Sequence, residues 1–233
     1  MDLVDIVRAK LGRFPLVKRV LTPFNLMICE YRRKKRYKIF QVHRDVLFKK
    51  IVNVFKKENI KCWVEFGTLL GIYRDHGFIP GDDDFDFGAF IDDADHIKST
   101  MLNSGFTLLK DYEAENDPSI KEMTFKSTEG ITFDVFFFTK SEKYYSCYIF
   151  GLTDVNIREK TKRYKVKKYD FPIFGLDTID FMGESVYIPS PVTDHLEYSY
   201  GKSFMIPDPH FNSIHPDFME NVFAIDKQER KSI

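Results

Sequence analysis

Between residues 82 and 87 carboxylates alternate with phenylalanines, Asp82-Asp83-Asp84-Phe85-Asp86-Phe87, and no other feature limits the possible folds as strongly. On an extended strand alternate residues share a face. Phe85 and Phe87 then enter a core, while Asp82, Asp84 and Asp86 project together on the other side and Asp83 does not. Carboxylates two positions apart on a strand lie about 7 Å from each other. At an effective dielectric of 20 their repulsion is about 2 kcal/mol per neighbouring pair. Taken alone, the run reads as an acidic surface turn or a calcium loop. A divalent cation among the carboxylates would reverse the sign of the repulsion.

A second acid makes the cation reading the stronger one. Asp134 lies inside Ile131-Thr132-Phe133-Asp134-Val135-Phe136-Phe137-Phe138, the most apolar strand in the chain. A lone carboxylate buried there costs several kcal/mol unless a lysine, an arginine or a metal answers it. If this strand neighbours the first, Asp84, Asp86 and Asp134 converge and Asp82 supports them. All-oxygen donors select a hard ion, Mg²⁺ or Mn²⁺, over Zn²⁺. Upstream, Gly67-Thr68 separates a predicted strand, residues 61–66, from a short predicted helix, residues 69–74. Backbone N–H groups at such a helix start can receive a phosphate, and Arg74 can add bidentate contacts. The six histidines, His43, His76, His96, His195, His210 and His215, show no ligand spacing and read as structural or surface. Trp63, Tyr198, Tyr200 and Phe204 read as core.

Periodicity elsewhere predicts a mixed fold. Residues 1–35 suggest one or two short helical pieces broken near Pro15 and Pro23. Phe40, Leu47, Ile51, Val54 and Phe55 recur at helical spacing across residues 37–57. Strands are expected around 83–90, 106–110, 122–127, 130–139, 143–150, 161–171 and 185–188. Helices are expected over 92–104, ending at Gly105, and after Ser190, which would cap a helix begun by Pro191 and closed before Gly201. This is an α+β arrangement around one mixed central sheet flanked by helices. It divides into a basic helical extension, 1–58, a catalytic domain, 59–225, and a polar, loose tail, 226–233.

Composition excludes several classes. With 24 Phe and 12 Tyr the chain carries too much apolar surface to stay disordered. Three cysteines, Cys29, Cys62 and Cys147, are too few and too scattered for a disulfide scaffold. No apolar run approaches the ~18 residues of a membrane span. Asp2, Asp5 and Lys18-Arg19 speak against a secretory signal, so a cytoplasmic setting is expected. Lysine plus arginine balance aspartate plus glutamate at 35 each, but not locally: residues 1–57 hold 16 basic and 4 acidic residues, a net of +12, and the remainder a net of −12. The stretch Arg32-Arg33-Lys34-Lys35-Arg36 reads equally as a solvated helix face or partner of the acidic remainder and as a segment drawn to a phosphate-bearing surface, anionic lipid or a lipid-linked phosphate, with attachment to an anionic membrane expected in the second case. No recognised nucleic-acid motif accompanies it, so nucleic acid is not expected as a partner.

The central stretch resembles the LicD/fukutin family of phosphotransferases, which carry a nucleotidyltransferase-like fold. The likeness rests on Gly67-Thr68-Leu69-Leu70-Gly71, Arg74, Gly77-Phe78-Ile79-Pro80, Asp82 to Asp86 and Asp134-Val135-Phe136, with support from Val186-Tyr187-Ile188-Pro189, Leu196 and Tyr200-Gly201. It covers residues 60–210. Bacterial members typically read Arg-His and a Trp where this chain has Arg74-Asp75 and Gly81, which leaves the aspartates intact.

The resemblance implies Mg²⁺-dependent transfer of phosphocholine, ribitol phosphate or glycerol phosphate from a CDP-linked alcohol donor to the hydroxyl of a glycan or lipid-linked glycan. Asp84 and Asp86 would hold the ion on the donor diphosphate, Asp82 would support it, and Asp134 would bind metal or take the hydroxyl's proton. Gly67, Thr68 and Arg74 would position phosphates, and Asp83 would stand outside the chemistry. A nucleotidyltransferase moving NMP, and a non-catalytic glycan- or lipid-binding relative, are the competing readings.

Overall fold

A computed structural model describes residues 15–114, 116–156, 161–208, 211, 218–219 and 224–226. Its first half runs helix α1 (Pro15–Lys57), strand β1 (Trp63–Val64), helix α2 (Phe66–Leu70) with a π turn over Gly71–Asp75, β2 (Asp84–Phe90), a 3₁₀ turn (Ile91–Asp93) and α3 (Ala94–Asn103). Then come β3 (Thr107–Ala114), β4 (Asp117–Lys126), β5 (Thr132–Lys140), β6 (Tyr144–Asn156), β7 (Thr161–Pro172), β8 (Gly175–Phe181), β9 (Glu184–Ser190), α4 (Val192–Tyr200), β10 (Phe218–Met219) and β11 (Ala224–Asp226).

The strands form one mixed sheet in the order β10-β7-β6-β5-β2-β1-β9-β8, with β4 also on β5, β3 on β4 and β11 on β3. β2 and β5 run parallel in full register from Asp84↔Thr132 to Phe90↔Phe138. β4 and β5 pair as an antiparallel hairpin.

The period-2 pattern of β2 decides what each side of this sheet does. Phe85 and Phe87 face one side with Phe133, Val135 and Phe137, all buried. There α1 lays down Phe40, Leu47, Phe48, Ile51 and Phe55, a stripe at helical spacing. Phe40 meets Phe85 at 4.9 Å between ring centroids and Phe55 meets Phe87 at 5.5 Å. The packing therefore makes no break at residue 58, because the second half of α1 belongs to the same core as the sheet. The opposite side carries the acids at one end. At the other end lies a second cluster, in which Trp63 packs with Phe136, Phe138, Tyr145, Phe171 and Phe174. Gly88 makes room for it: a Cβ there would sit 2.3 Å from the Trp63 ring.

Four expectations are corrected. Residues 15–57 form one continuous helix rather than broken pieces. Pro15 is its first residue, where a missing N–H costs nothing, and Pro23 lies within it. The strand expected over 61–66 shrinks to Trp63–Val64, because Glu65 already caps α2. Ser190 is the last residue of β9 and Pro191 takes the cap position of α4, with no side-chain cap bond. β8 was not foreseen, since Asp177, Thr178 and Asp180 interrupt its apolar pattern. The tail beyond Asp226 lies outside the described residues. Among the described residues no helix is long and apolar enough to cross a membrane, and the three cysteines are free.

Candidate active site

Register brings the predicted acids together. Asp86 and Asp134 are direct partners across β2 and β5, and Asp84 stands two residues from Asp86 on the same face. Residues paired in register have side chains on one face about 5 Å apart at their bases. Asp134 accepts a hydrogen bond from the Thr124 hydroxyl, and Thr124 is its register partner on β4. Asp86 is held twice more: its Oδ2 accepts from the Gly67 N–H at 3.1 Å and its own N–H donates to Thr68 Oγ1 at 2.9 Å. Asp82 reaches the same corner, since a Cβ on Gly67 would lie 3.2 Å from Asp82 Oδ2 and 3.3 Å from Asp86 Oδ2.

Among the described residues none of Asp82, Asp84, Asp86 and Asp134 forms an ion pair. Burial, then Asp134, Asp83 and Asp82, lifts the Asp84 carboxyl from its ordinary 3.8 to about 7. Burial, then Asp84 and Asp134, drives the Asp86 carboxyl well above its ordinary value. Burial raises Asp134 against the opposing pull of the Thr124 bond and Lys110. Burial and Asp83 raise Asp82. The set is all oxygen, clustered and unneutralised, which fits a hard divalent cation. Among the described residues no three His, Cys, Asp or Glu side chains form a group that could hold a metal ion. Asp83, expected outside the chemistry, is paired instead with Arg36 at 2.7 Å.

Gly67, Thr68 and Arg74, expected to position phosphates, make contacts within the chain. The Gly67 N–H donates to the Asp86 carboxylate and Thr68 Oγ1 accepts from the Asp86 N–H, at the start of a helix only five residues long. Arg74 makes its bidentate contact with Asp75, at 2.8 Å from both Nε and Nη2, and its Nη1 donates to the Phe204 carbonyl at 3.4 Å. Its fork is thus filled by its own neighbour in the chain.

Beside the aspartates opens a cleft of about 820 Å³. Gly67, Arg74 and Asp82 stand in its wall with Phe78, Ile79, Tyr200 and Phe204. Tyr200 and Phe204 line this cleft and also pack against the core, where they were expected.

Two acids were missed. Glu122 is buried on β4, on the Asp134 side of the sheet, and accepts the Phe150 N–H at 2.9 Å. Burial and then Asp134 push it to about 8. Its place two residues before Thr124 was the available signal. Glu65 is fully enclosed, and nothing in its local sequence sets it apart.

Comparison with known proteins adds a family. A family model described as "LicD/FKTN/FKRP, nucleotidyltransferase domain" matches residues 59–191. The "Ribitol-5-phosphate transferase FKTN" of Mus musculus is 28% identical over 170 residues, covering 72% of this chain and 34% of that protein. The protein of the same name from Homo sapiens is 30% identical over 152 residues, 65% of this chain and 31% of that one. A Rickettsia prowazekii protein is 28% identical over 192 residues, 81% of this chain and 64% of that protein. The chain thus spans about a third of the two mammalian relatives and under two thirds of the bacterial one. Among solved structures, a lincomycin-bound lincosamide antibiotic adenylyltransferase covers 63% of this chain and 79% of its own at TM-score 0.37 and 11% identity, too distant to argue from.

Proposed function

Because the chain belongs to the LicD/FKTN/FKRP nucleotidyltransferase-domain family, we propose that it is a transferase moving a phospho-alcohol from a CDP-linked donor to a hydroxyl of a glycan or lipid-linked glycan. The observation that carries this reading is the register pairing of Asp86 with Asp134, with Asp84 beside them and, among the described residues, no lysine or arginine paired with any of the three. Asp84 and Asp86 would hold Mg²⁺ or Mn²⁺, with Asp82 in support. The bound ion would neutralise charge on the donor diphosphate and its leaving CMP.

The chain's own residues do the rest. Gly67 and Thr68 keep Asp86 in one orientation. Thr124 fixes Asp134, which accepts the proton of the attacking hydroxyl. The cleft walls, Phe78, Ile79, Tyr200 and Phe204, exclude water and orient the donor beside Asp82. Arg74 supplies positive charge there, tempered by Asp75. The exposed residues Arg32, Arg33, Lys34 and Lys35 of α1 would draw the protein to an anionic membrane carrying the acceptor.

The names of the mammalian relatives make ribitol phosphate the first group to test. Purified protein is incubated with CDP-ribitol, CDP-glycerol or CDP-choline and Mg²⁺, and CMP release is followed by mass spectrometry. Release from one donor, lost in Asp84→Asn and Asp134→Asn, is expected. Unchanged activity in those variants would overturn the site. Incorporation of labelled nucleotide from an NTP, with the CDP-alcohols ignored, would overturn the reaction.

A further inference from the structure

Glu65 takes no part in the chemistry above, yet its carboxylate is fully buried and fully engaged. Its Oε2 accepts from Trp63 Nε1 at 2.7 Å. Its Oε1 accepts from His195 Nε2 at 2.7 Å and from the Phe66 N–H at 3.2 Å. His195 comes from α4, 130 residues away and beyond the stretch that the family model matches. Its ring is clamped: Phe171 stacks on it at 4.2 Å and 8°, and Phe174 meets it edge-on at 4.9 Å. A ring fixed so firmly presents its Nε2 in one direction.

What this pair holds is the turn that holds Asp86. The Glu65 N–H donates to the Asp86 carbonyl at 3.0 Å. Phe66 then adopts a left-handed backbone, φ 41°, which a phenylalanine does not choose without outside support. That conformation aims the Gly67 N–H at Asp86 Oδ2. Both the main chain and the side chain of Asp86 are therefore set by a three-residue turn whose anchor is the Glu65 carboxylate.

We propose that the buried Glu65–His195 pair is a positioning device that locks the 65–67 turn and so sets Asp86 to receive the divalent cation. It rests on the reading of Asp86 as a cation ligand. Groups that orient metal ligands from behind typically change affinity 10- to 100-fold when lost. His195 acts through the turn, so the lower end applies.

The test measures Mn²⁺ binding to the full chain by calorimetry, with urea denaturation alongside. His195→Leu, which removes the donor, should weaken Mn²⁺ binding about 10-fold. His195→Gln, whose amide can reach Glu65 Oε1, should recover most of that loss. Phe106→Leu, a core substitution on the opposite face of the sheet against Phe133, should lower the urea midpoint and leave Mn²⁺ affinity alone. If His195→Leu is folded and binds Mn²⁺ as the wild type does while Asp86→Asn loses binding, the positioning role is overturned. If Asp86→Asn also binds normally, the reading of Asp86 itself fails. Should His195→Leu not fold, Glu65→Gln is judged by the same criterion.

Discussion

Asp84→Asn removes one charge from a cluster whose repulsion folding has to overcome. In the folded chain burial and the neighbouring acids lift the Asp84 carboxyl from 3.8 to about 7. An acid whose pKa is higher in the native state binds its proton more tightly there, so acid stabilises the fold. The penalty is greatest above about pH 7, declines as pH falls from about 7 toward 3.8, and is gone below that window. A displacement of that size corresponds to about 4 kcal/mol at full ionisation. Asp84 is only partly buried, so screening and relaxation bring the expected effect to about 2 kcal/mol. Asparagine has nearly the same shape and no charge. In EDTA at pH 8, Asp84→Asn should therefore unfold at higher urea than wild type, by about 2 kcal/mol. At pH 5 the gap should be clearly smaller, and it should vanish below pH 3.8, because the wild-type carboxyl takes up its proton across this window. Mg²⁺ should raise the wild-type midpoint at pH 8 by binding the native state and leave the variant's unchanged, while donor turnover in the variant is lost. A variant no more stable than wild type at pH 8 in EDTA, or a gap that ignores pH, would refute the electrostatic reasoning.

Other substitutions probe separate parts of the site. Gly88→Ala puts a methyl group 2.3 Å from the Trp63 ring, whose Nε1 is tied to Glu65; overpacking of this kind costs about 1–3 kcal/mol, visible as a lowered thermal midpoint. Thr124→Val keeps the volume but removes the donor to Asp134, and turnover should fall about 10-fold with donor KM little changed. Asp75→Asn uncouples Arg74 from its carboxylate partner, and the donor KM should drop, by up to about five-fold; an unchanged KM means that Arg74 does not meet the donor. Replacing Arg32, Arg33, Lys34 and Lys35 with glutamine should abolish sedimentation with phosphatidylglycerol vesicles, at about 1 kcal/mol lost per residue; equal binding by both proteins ends the membrane proposal.

These predictions depend unequally on what the amino-acid order makes visible. The two-faced sheet was legible because strand periodicity is strict: once Phe85 and Phe87 are inside, Asp84 and Asp86 have nowhere else to point. Asp134 was legible as an anomaly, an acid inside an apolar strand, but its pairing with Asp86 had to be conditional, since register between strands about fifty residues apart is set by the whole sheet. Hydrogen-bond direction was not legible at all. Gly67-Thr68 looks like a phosphate cradle in one dimension, and only the approach of Asp86 shows that its groups are taken. Arg74 and Asp75 are adjacent in sequence, yet adjacent helical residues ordinarily diverge; their bidentate contact forms at the end of the π turn. Glu65 and His195 lay furthest from view, because a lone glutamate and a lone histidine become a pair only when α4 packs against the start of α2. The order of legibility follows the range of the force: face parity is local, register belongs to the sheet, and the polar contacts that set one carboxylate depend on the last details of packing. Substitutions at Asp84 and Asp134 therefore test what was read from the sequence. Substitutions at His195 and Asp75 test what only the fold reveals, and a null result there removes the positioning role or the Arg74 contact while leaving the acid cluster itself in place.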